Sequence, residues 1–388
     1  MFILLISRGV PTKRDPQWGC FERDQANALR ALGHKVVVVS VDTRFRLFYR
    51  KFGIKRTNLD GIDYFDCFIL PSIITRVLLG LRNSVYIRYL QLEYIYKKVQ
   101  KLYGTPDIIY AHYLPNIYIA SKLKEKYDIP VVGIEHWSKL NVDKLSADVL
   151  FMGKYAYFNI DSLITVSESL RVRIYQHFQK DSIVIHNMVG SEFWQKCLPQ
   201  DSERKKDTKN IKFISVGSLL YGKGYDLLIE AFAISGIKDF ELNIIGEGNY
   251  RRNLETLIRQ RGLSNKVFLL GKKCKQDVIR YLLESDVFVH PSRGENFSVA
   301  IIEGLSAGLP VIASLCGGAS ECINESNGVL FPVGDVKELS EKLLYMSLNY
   351  KDYNKQKISD DCRNNYSPSI IASKIITVFE NVLDKYKS

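Results

Sequence analysis

Short runs of β-branched and other apolar residues alternate with amphipathic stretches along this chain, and the alternation starts twice. In the first half the runs are FILLIS, KVVVVSV, DIIYAH, IPVVGIEH, SLITVS and SIVIHN. Continuous apolar runs of this length suit strands covered on both faces, and helical crossovers between them build a parallel sheet. The first crossover, from about Phe21 to Leu32, sets Phe21, Gln25, Ala28, Leu29 and Leu32 on one face, and Gly33 offers the left-handed stop. Between Cys197 and Asn210 the sequence LPQDSERKKDTKN carries a proline, dense charge and almost nothing apolar, the composition of a linker. The alternation then resumes with IKFISVG, ELNIIG, KVFLLG, DVFVHPS, PVIAS and GVLFP. The pattern predicts an α/β chain of two Rossmann-like domains facing across a cleft. The expected boundaries are 1–197 for the first domain, 198–210 for the linker and 211–366 for the second domain. A last helix, 367–388, carries the apolar stripe Ile371, Ile375, Val378, Phe379 and Val382 and is expected to pack back toward the first domain.

The apolar opening ends at Ser7-Arg8, so it reads as a strand and not as a signal peptide. No run reaches the roughly 18 apolar residues of a membrane-spanning helix. Seven cysteines are scattered without a Cys-x-x-Cys pair, as expected of reduced thiols in a cytoplasmic protein. The net charge of +12 is unevenly placed: residues 1–200 hold 28 Lys/Arg against 18 Asp/Glu, whereas residues 211–366 hold 19 of each. A basic half beside a neutral half points to an electrostatic partner for the first domain alone, such as nucleic acid, anionic lipid or an acidic acceptor. The surplus concentrates in 44–56 and 75–101, where Arg and Lys interleave with Phe, Tyr, Leu and Ile at helical spacing. Such segments suit a helix lying in an anionic membrane interface, which places the protein peripherally on the inner membrane face.

The most informative segment is PSRGENFSVAIIEGLSAGLPVIAS, Pro291 to Ser314. A strand ends at His290-Pro291, a polar loop holds Glu295, and a helix beginning near Phe297 holds Glu303. Both carboxylates can therefore face one ligand lying across the helix start. The amides around Asn296, Phe297, Ser298 and Val299, with the helix dipole, form a seat for a diphosphate. Two carboxylates also suit a hydrolytic acid/base pair, although Glu303 beside a phosphate seat is better placed to accept hydrogen bonds from ribose. A second cluster, Gly217, Ser218, Gly222, Lys223 and Gly224, follows the strand IKFISV and sets one cation among glycines. Gly246-Glu247-Gly248 ends a further strand. In the first half, Gly19 precedes the first helix, His112 ends DIIYAH, and Glu135-His136 ends IPVVGIEH.

The Glu295-to-Glu303 segment, with Ala307, Gly308, Pro310, Val311, Gly317, Gly318 and Glu321, resembles the E-x7-E signature of family-4 GT-B retaining glycosyltransferases of the bacterial polysaccharide type. The resemblance implies that Glu303 binds the ribose of a nucleotide-sugar donor and that Glu295 contacts hydroxyls of the transferred sugar. It further implies that Lys223 neutralises the leaving diphosphate, that Gly19, Gly217, Ser218, Gly246 and Glu247 lie against the donor, and that His136 touches the sugar near its 6-hydroxyl. Many relatives carry Arg where this chain has Ser218, so one positive charge is missing, and helix amides or another Arg must supply it. Asn187 matches an Asn-Gly-Val-Asp motif with Met188 and Gly190 substituted, and reads as closing the first domain.

Retention of anomeric configuration needs stabilisation of an oxocarbenium-like sugar and of the departing phosphate more than a strong base. No Asp-x-Asp pair is present to hold Mg²⁺ or Mn²⁺. The expected enzyme is thus a metal-independent hexosyltransferase without cofactor, moving sugar from a UDP or GDP donor to a glycan or lipid-linked acceptor in cell-surface polysaccharide or lipopolysaccharide synthesis. A nucleotide-sugar epimerase on the same fold would need acid/base groups around the sugar ring and would turn over without acceptor. A basic nucleic-acid-binding protein would stack bases on the aromatics between arginines, but leaves Glu295 and Glu303 without a role. Nucleic acid is accordingly not expected as a partner.

Overall fold

A computed structural model describes residues 1–12, 18–44, 52–68, 71–194 and 210–387. The chain divides into two compact units, Met1–His186 with Pro368–Ser388, and Asn187–Ser367.

The first unit holds an eight-stranded sheet of β1 (Phe2–Ser7), β2 (Lys35–Val41), β3 (Gly53–Leu59), β4 (Ile62–Phe68), β5 (Ile108–His112), β6 (Val131–Glu135), β7 (Ser162–Thr165) and β8 (Ile183–Val184). Their order is β3-β4-β2-β1-β5-β6-β7-β8, parallel except for the β3/β4 pair. β1, at the centre, is buried along its whole length, as its unbroken apolar run requires. The C-terminal helix Pro368–Lys387 belongs to this unit. Its buried stripe includes Ile371, Ile375, Val378, Phe379 and Val382, and Phe379 meets Tyr110 edge-on at 5.1 Å. Burial of each such side chain contributes about 1.5–3 kcal/mol, which is what fastens a segment so distant in sequence to the first sheet.

The second unit holds β9 (Ile211–Val216), β10 (Phe240–Ile245), β11 (Val267–Gly271), β12 (Val287–His290), β13 (Val311–Ser314) and β14 (Gly328–Phe331). The order is β11-β10-β9-β12-β13-β14, wholly parallel. Strand order reverses between β9 and β12, so the loops leaving their C-terminal ends diverge and open a crevice.

Three expectations change. The hairpin β3/β4 was not foreseen, and it claims part of the basic segment 44–56. Residues 45–51 lie outside the described residues, while Gly53–Arg56 is edge strand and not interfacial helix, with Arg56 paired to Asp63 at 3.0 Å. The turn is Asp60-Gly61, both at positive φ (53° and 76°), a pair that matches the twist of a two-residue hairpin. That Asp-Gly turn signal stands in the sequence directly after the basic segment. Secondly, the first unit ends at His186, ahead of the boundary expected at 197. Asn187 therefore belongs to the second unit, where the Val189 amide donates to Tyr366 O at 2.9 Å and Asn187 Nδ2 donates to Phe297 O at 3.4 Å. The expected linker 198–210 lies, apart from Asn210, outside the described residues. Thirdly, 75–101 is helical within Ser72–Tyr103, but Gly80 (φ 77°, ψ 169°) breaks that helix into two.

Candidate functional site

Four loops of the second unit converge at the C-terminal ends of its strands, and glycines set how closely they approach. A side-chain carbon on Gly246 would sit 1.9 Å from Gly217 O, and one on Gly224 (φ 70°) 1.9 Å from Pro291 O. One on Gly317 (φ 53°) would sit 1.9 Å from Glu295 O, so the turn after β13 closes directly on the carboxylate loop. Gly318 N–H then donates to Asn296 O at 2.7 Å. No residue but glycine allows such contacts.

Within this frame the sequence-predicted donor residues lie on neighbouring loops of one sheet edge. Gly217, Ser218 and Lys223 follow β9, Gly246 and Glu247 follow β10, and Glu295, Asn296, Phe297 and Ser298 follow β12. Val299 opens the helix Val299–Ser306 and Glu303 lies within it; the helix starts two residues later than the sequence suggested. Ser298 caps it without a side-chain hydrogen bond. The first-turn amides of any helix lack intrahelical acceptors and favour an anion. Ser218 is exposed, and Glu247, also exposed, pairs with Arg251 at 2.9 Å.

Glu295 is the centre of the cluster. Its side chain is 18% exposed and contacts Lys223 Nζ, His290 Nε2 at 3.3 Å and Ser292 Oγ at 3.4 Å. Burial pushes the Glu295 pKa up, but hydrogen bonding and charge from His290, followed by the Lys223 ammonium, outweigh it and hold the group near 2. The carboxylate is thus ionised throughout the neutral range and accepts hydrogen bonds without donating a proton. His290 and Ser292 stand at the head of the motif segment, but the sequence assigns neither a contact with Glu295. The arginine sought to replace the charge missing at Ser218 has a neighbour candidate in Arg293. That side chain is spent elsewhere: both forks reach Asp226 at 2.7 Å, it bonds Tyr221 O at 2.7 Å, and it lies 4.0 Å over the Tyr221 ring. Arg293 thereby fixes the Tyr221-Gly222-Lys223 turn.

Gly19 and His136 belong to the first unit. Gly19 (φ 80°) caps the first helix, Cys20–Ala31, and a carbon there would meet Gly9 O at 2.2 Å, so glycine is required by the turn itself. His136, half-buried, stacks on His112 at 5.4 Å and faces Tyr113 at 5.1 Å. His112 is fully buried, and burial foremost lowers its pKa to about 3, so the ring is neutral. Glu135 is also buried and accepts the Tyr157 hydroxyl at 3.0 Å; desolvation lifts its pKa to about 8. Beside them, Arg8 bonds the buried Glu22 at 2.9 Å, and Tyr113 holds an uncommon φ of 68°. Arg8, Glu22 and Tyr113 carry no motif and were not found in the sequence.

With this geometry, the chain can be placed among known proteins. The family model described as "Glycosyl transferases group 1" matches residues 199–360, and that described as "Glycosyltransferase Family 4" matches residues 23–193. With both halves matched in order, the chain belongs to the family-4 GT-B glycosyltransferases. An uncharacterized glycosyltransferase of Methanocaldococcus jannaschii is 30% identical over 217 residues, 55% of this chain and 57% of that relative. The amylovoran biosynthesis glycosyltransferase AmsK of Erwinia amylovora is 35% identical over 151 residues, 37% of each chain. The chain thus spans roughly half, or less, of the length of these curated relatives. Sucrose-phosphate synthase of Thermosynechococcus elongatus superposes with a TM-score of 0.80 at 17% identity, over 99% of this chain and 100% of that one. HepE of Anabaena, in complex with UDP-glucose, superposes with a TM-score of 0.73 at 19% identity, over 98% and 100%. At such identities the likeness establishes the GT-B fold alone.

Proposed function

We propose that the chain is a retaining glycosyltransferase that moves a hexose-type sugar from a nucleotide-diphosphate sugar, UDP- or GDP-linked, to a glycan or lipid-linked acceptor in cell-surface polysaccharide synthesis. One observation carries the reading: Lys223 and an ionised Glu295 meet at the β9/β12 crevice. On donor binding, Lys223 turns to the diphosphate and Glu295 accepts hydrogen bonds from sugar hydroxyls, while Glu303 takes the ribose. The bond from the anomeric carbon to phosphate oxygen breaks, the acceptor oxygen attacks from the same face, and its proton passes to the departing phosphate. Lys223 and the helix amides stabilise the charge that develops there, with no metal ion required. In a hydrolytic pair an ionised Glu295 could serve only as the base or nucleophile, never as the acid. The UDP-glucose in HepE and the amylovoran role of AmsK support the donor class and the polysaccharide setting.

The proposed place of action is the cytoplasmic face of the membrane. Among the described residues no helix is long and apolar enough to cross a membrane. The helical piece before Gly80 instead exposes Val77 and Leu78, 79% and 73% accessible, beside Arg76, which pairs with Asp148; this apolar, basic-flanked patch suits an anionic interface. Co-sedimentation with vesicles that does not depend on anionic lipid would remove this part of the reading.

The deciding experiment titrates UDP, GDP and their sugars into the protein with EDTA present. Binding without metal and a large loss in Glu303→Ala are expected; unchanged affinity in that variant contradicts the ribose assignment. Conversion of a nucleotide sugar with no acceptor present would favour the epimerase.

A further inference from the structure

The reversal of strand order in the first sheet, between β1 and β5, gathers three arginines from distant segments. Arg8, at the end of β1, lies 4.0 Å over the Tyr113 ring and 5.0 Å over the Trp18 ring. Arg44, just past β2, lies 3.4 Å over the same Trp18, whose indole N–H donates to Arg8 O at 3.1 Å. Arg88, from the helix Ser72–Tyr103, donates to Asn116 Oδ1 at 2.6 Å, and the Asn116 amide donates to Tyr113 O at 2.9 Å. Each arginine is thus joined to the next through Trp18, Tyr113 or Asn116.

Their charges are not equally answered. Arg8 is paired with the fully buried Glu22, and Arg44 forks onto Asp42 at 2.9 and 2.7 Å. Among the described residues Arg88 hydrogen-bonds no carboxylate: its bond goes to a neutral carboxamide, and its Nε and the Asn116 Nδ2 are buried without a partner. Desolvation lowers the Arg88 pKa to about 10, with the more distant Asp42 acting the other way. A buried guanidinium without a hydrogen-bonded carboxylate is costly, and a bound anion relieves that cost.

We propose that this arginine cluster binds an oxyanion carried by the acceptor, a phosphate or a carboxylate, with Arg88 selecting for its charge. The inference rests on the glycosyltransferase reading for the word acceptor, but the anion site stands on its own geometry.

The test is calorimetric titration of the full chain, with UDP saturating so that the diphosphate seat is filled, using inorganic phosphate, glucuronate and neutral glucose as probes. Phosphate or glucuronate is expected to bind with an affinity that falls as salt rises, and glucose is not; the better of the two anions identifies the group. Arg88→Gln should weaken that binding about tenfold or more while UDP affinity stays unchanged, and Arg88→Lys should recover part of it. If Arg88→Gln melts below the assay temperature, Arg44→Gln replaces it and the same loss is required. Anion binding no tighter than glucose, or unchanged in these variants, overturns the proposal. Failure of both UDP and GDP to bind while the anion still binds through Arg88 would overturn the proposed donor chemistry and leave this site standing.

Discussion

At the strand reversal of the second sheet, the loops after β9, β10, β12 and β13 meet through glycine backbone, with Gly246 against Gly217, Gly224 against Pro291 and Gly317 against Glu295. At the reversal of the first sheet, the segments after β1, β2 and β5 are held by side chains: Arg8 on Glu22, Arg44 on Trp18 and Arg8 on Tyr113. Under the proposed function the difference would follow from what each site holds, a donor diphosphate in the second unit and an acceptor in the first. A diphosphate is recognised through amides and one or two charges, so its seat is built from backbone and tolerates little change in spacing. An acceptor is recognised by the particular groups it carries, so its seat is built from side chains recruited from several segments.

The largest effect that sharpens this contrast is expected for Glu295→Gln, which keeps the size and removes the charge between Lys223 and His290. Turnover should fall about a hundred- to a thousandfold while nucleotide affinity changes far less; an equal loss of both would make Glu295 a nucleotide ligand instead. Next in size is Gly224→Ala. Its new carbon meets Pro291 O at a positive φ, so a loss of about 3 kcal/mol or more is expected in thermal unfolding. Gly33→Ala, also at positive φ but with nothing within 4 Å, should cost only about 1 kcal/mol. Equal costs would show that loop-to-loop contact does not constrain the second sheet edge.

Smaller effects separate the units by pH. Glu22 and Glu295 both have native pKa values near 2, below the ordinary 4.5. Burial opposes ionisation in each; Arg8 outweighs it at Glu22, and His290 with Lys223 does so at Glu295. Their contributions are present above pH 4.5 and are lost as pH falls toward 2. Glu135 runs the other way: with its native pKa raised to about 8, the folded state holds a proton that the unfolded chain has released, so stability declines as pH rises from 4.5 to 8. Glu135→Gln should therefore gain on the parent protein across that interval in denaturant unfolding, and a parallel pair of pH profiles would refute the neutral carboxyl. The smallest effect is expected from EDTA, which should leave transfer rates unchanged; a loss restored by Mg²⁺ or Mn²⁺ would return part of the diphosphate chemistry to a metal.

The strands of the second unit, the loops bearing Lys223 and Glu295 and the helix bearing Glu303 were legible because backbone seats and buried parallel strands write themselves into local sequence, as glycines at fixed offsets and apolar runs. The C-terminal helix announced its need for a partner through its stripe, from Ile371 to Val382. The β3/β4 hairpin was missed because basic residues on an exposed edge strand imitate an amphipathic helix, although Asp60-Gly61 marked the turn.

Sequence alone determined that two Rossmann-like sheets form and that one of them carries the E-x7-E segment, since periodicity, turn glycines and motif spacing are local properties. Only the tertiary structure decided that Arg8, Arg44 and Arg88 share one cluster, that Arg293 serves Asp226, and that Glu135 is neutral while Glu295 is charged. Those outcomes depend on which side chains meet across long sequence separations and on how much water is excluded where they meet.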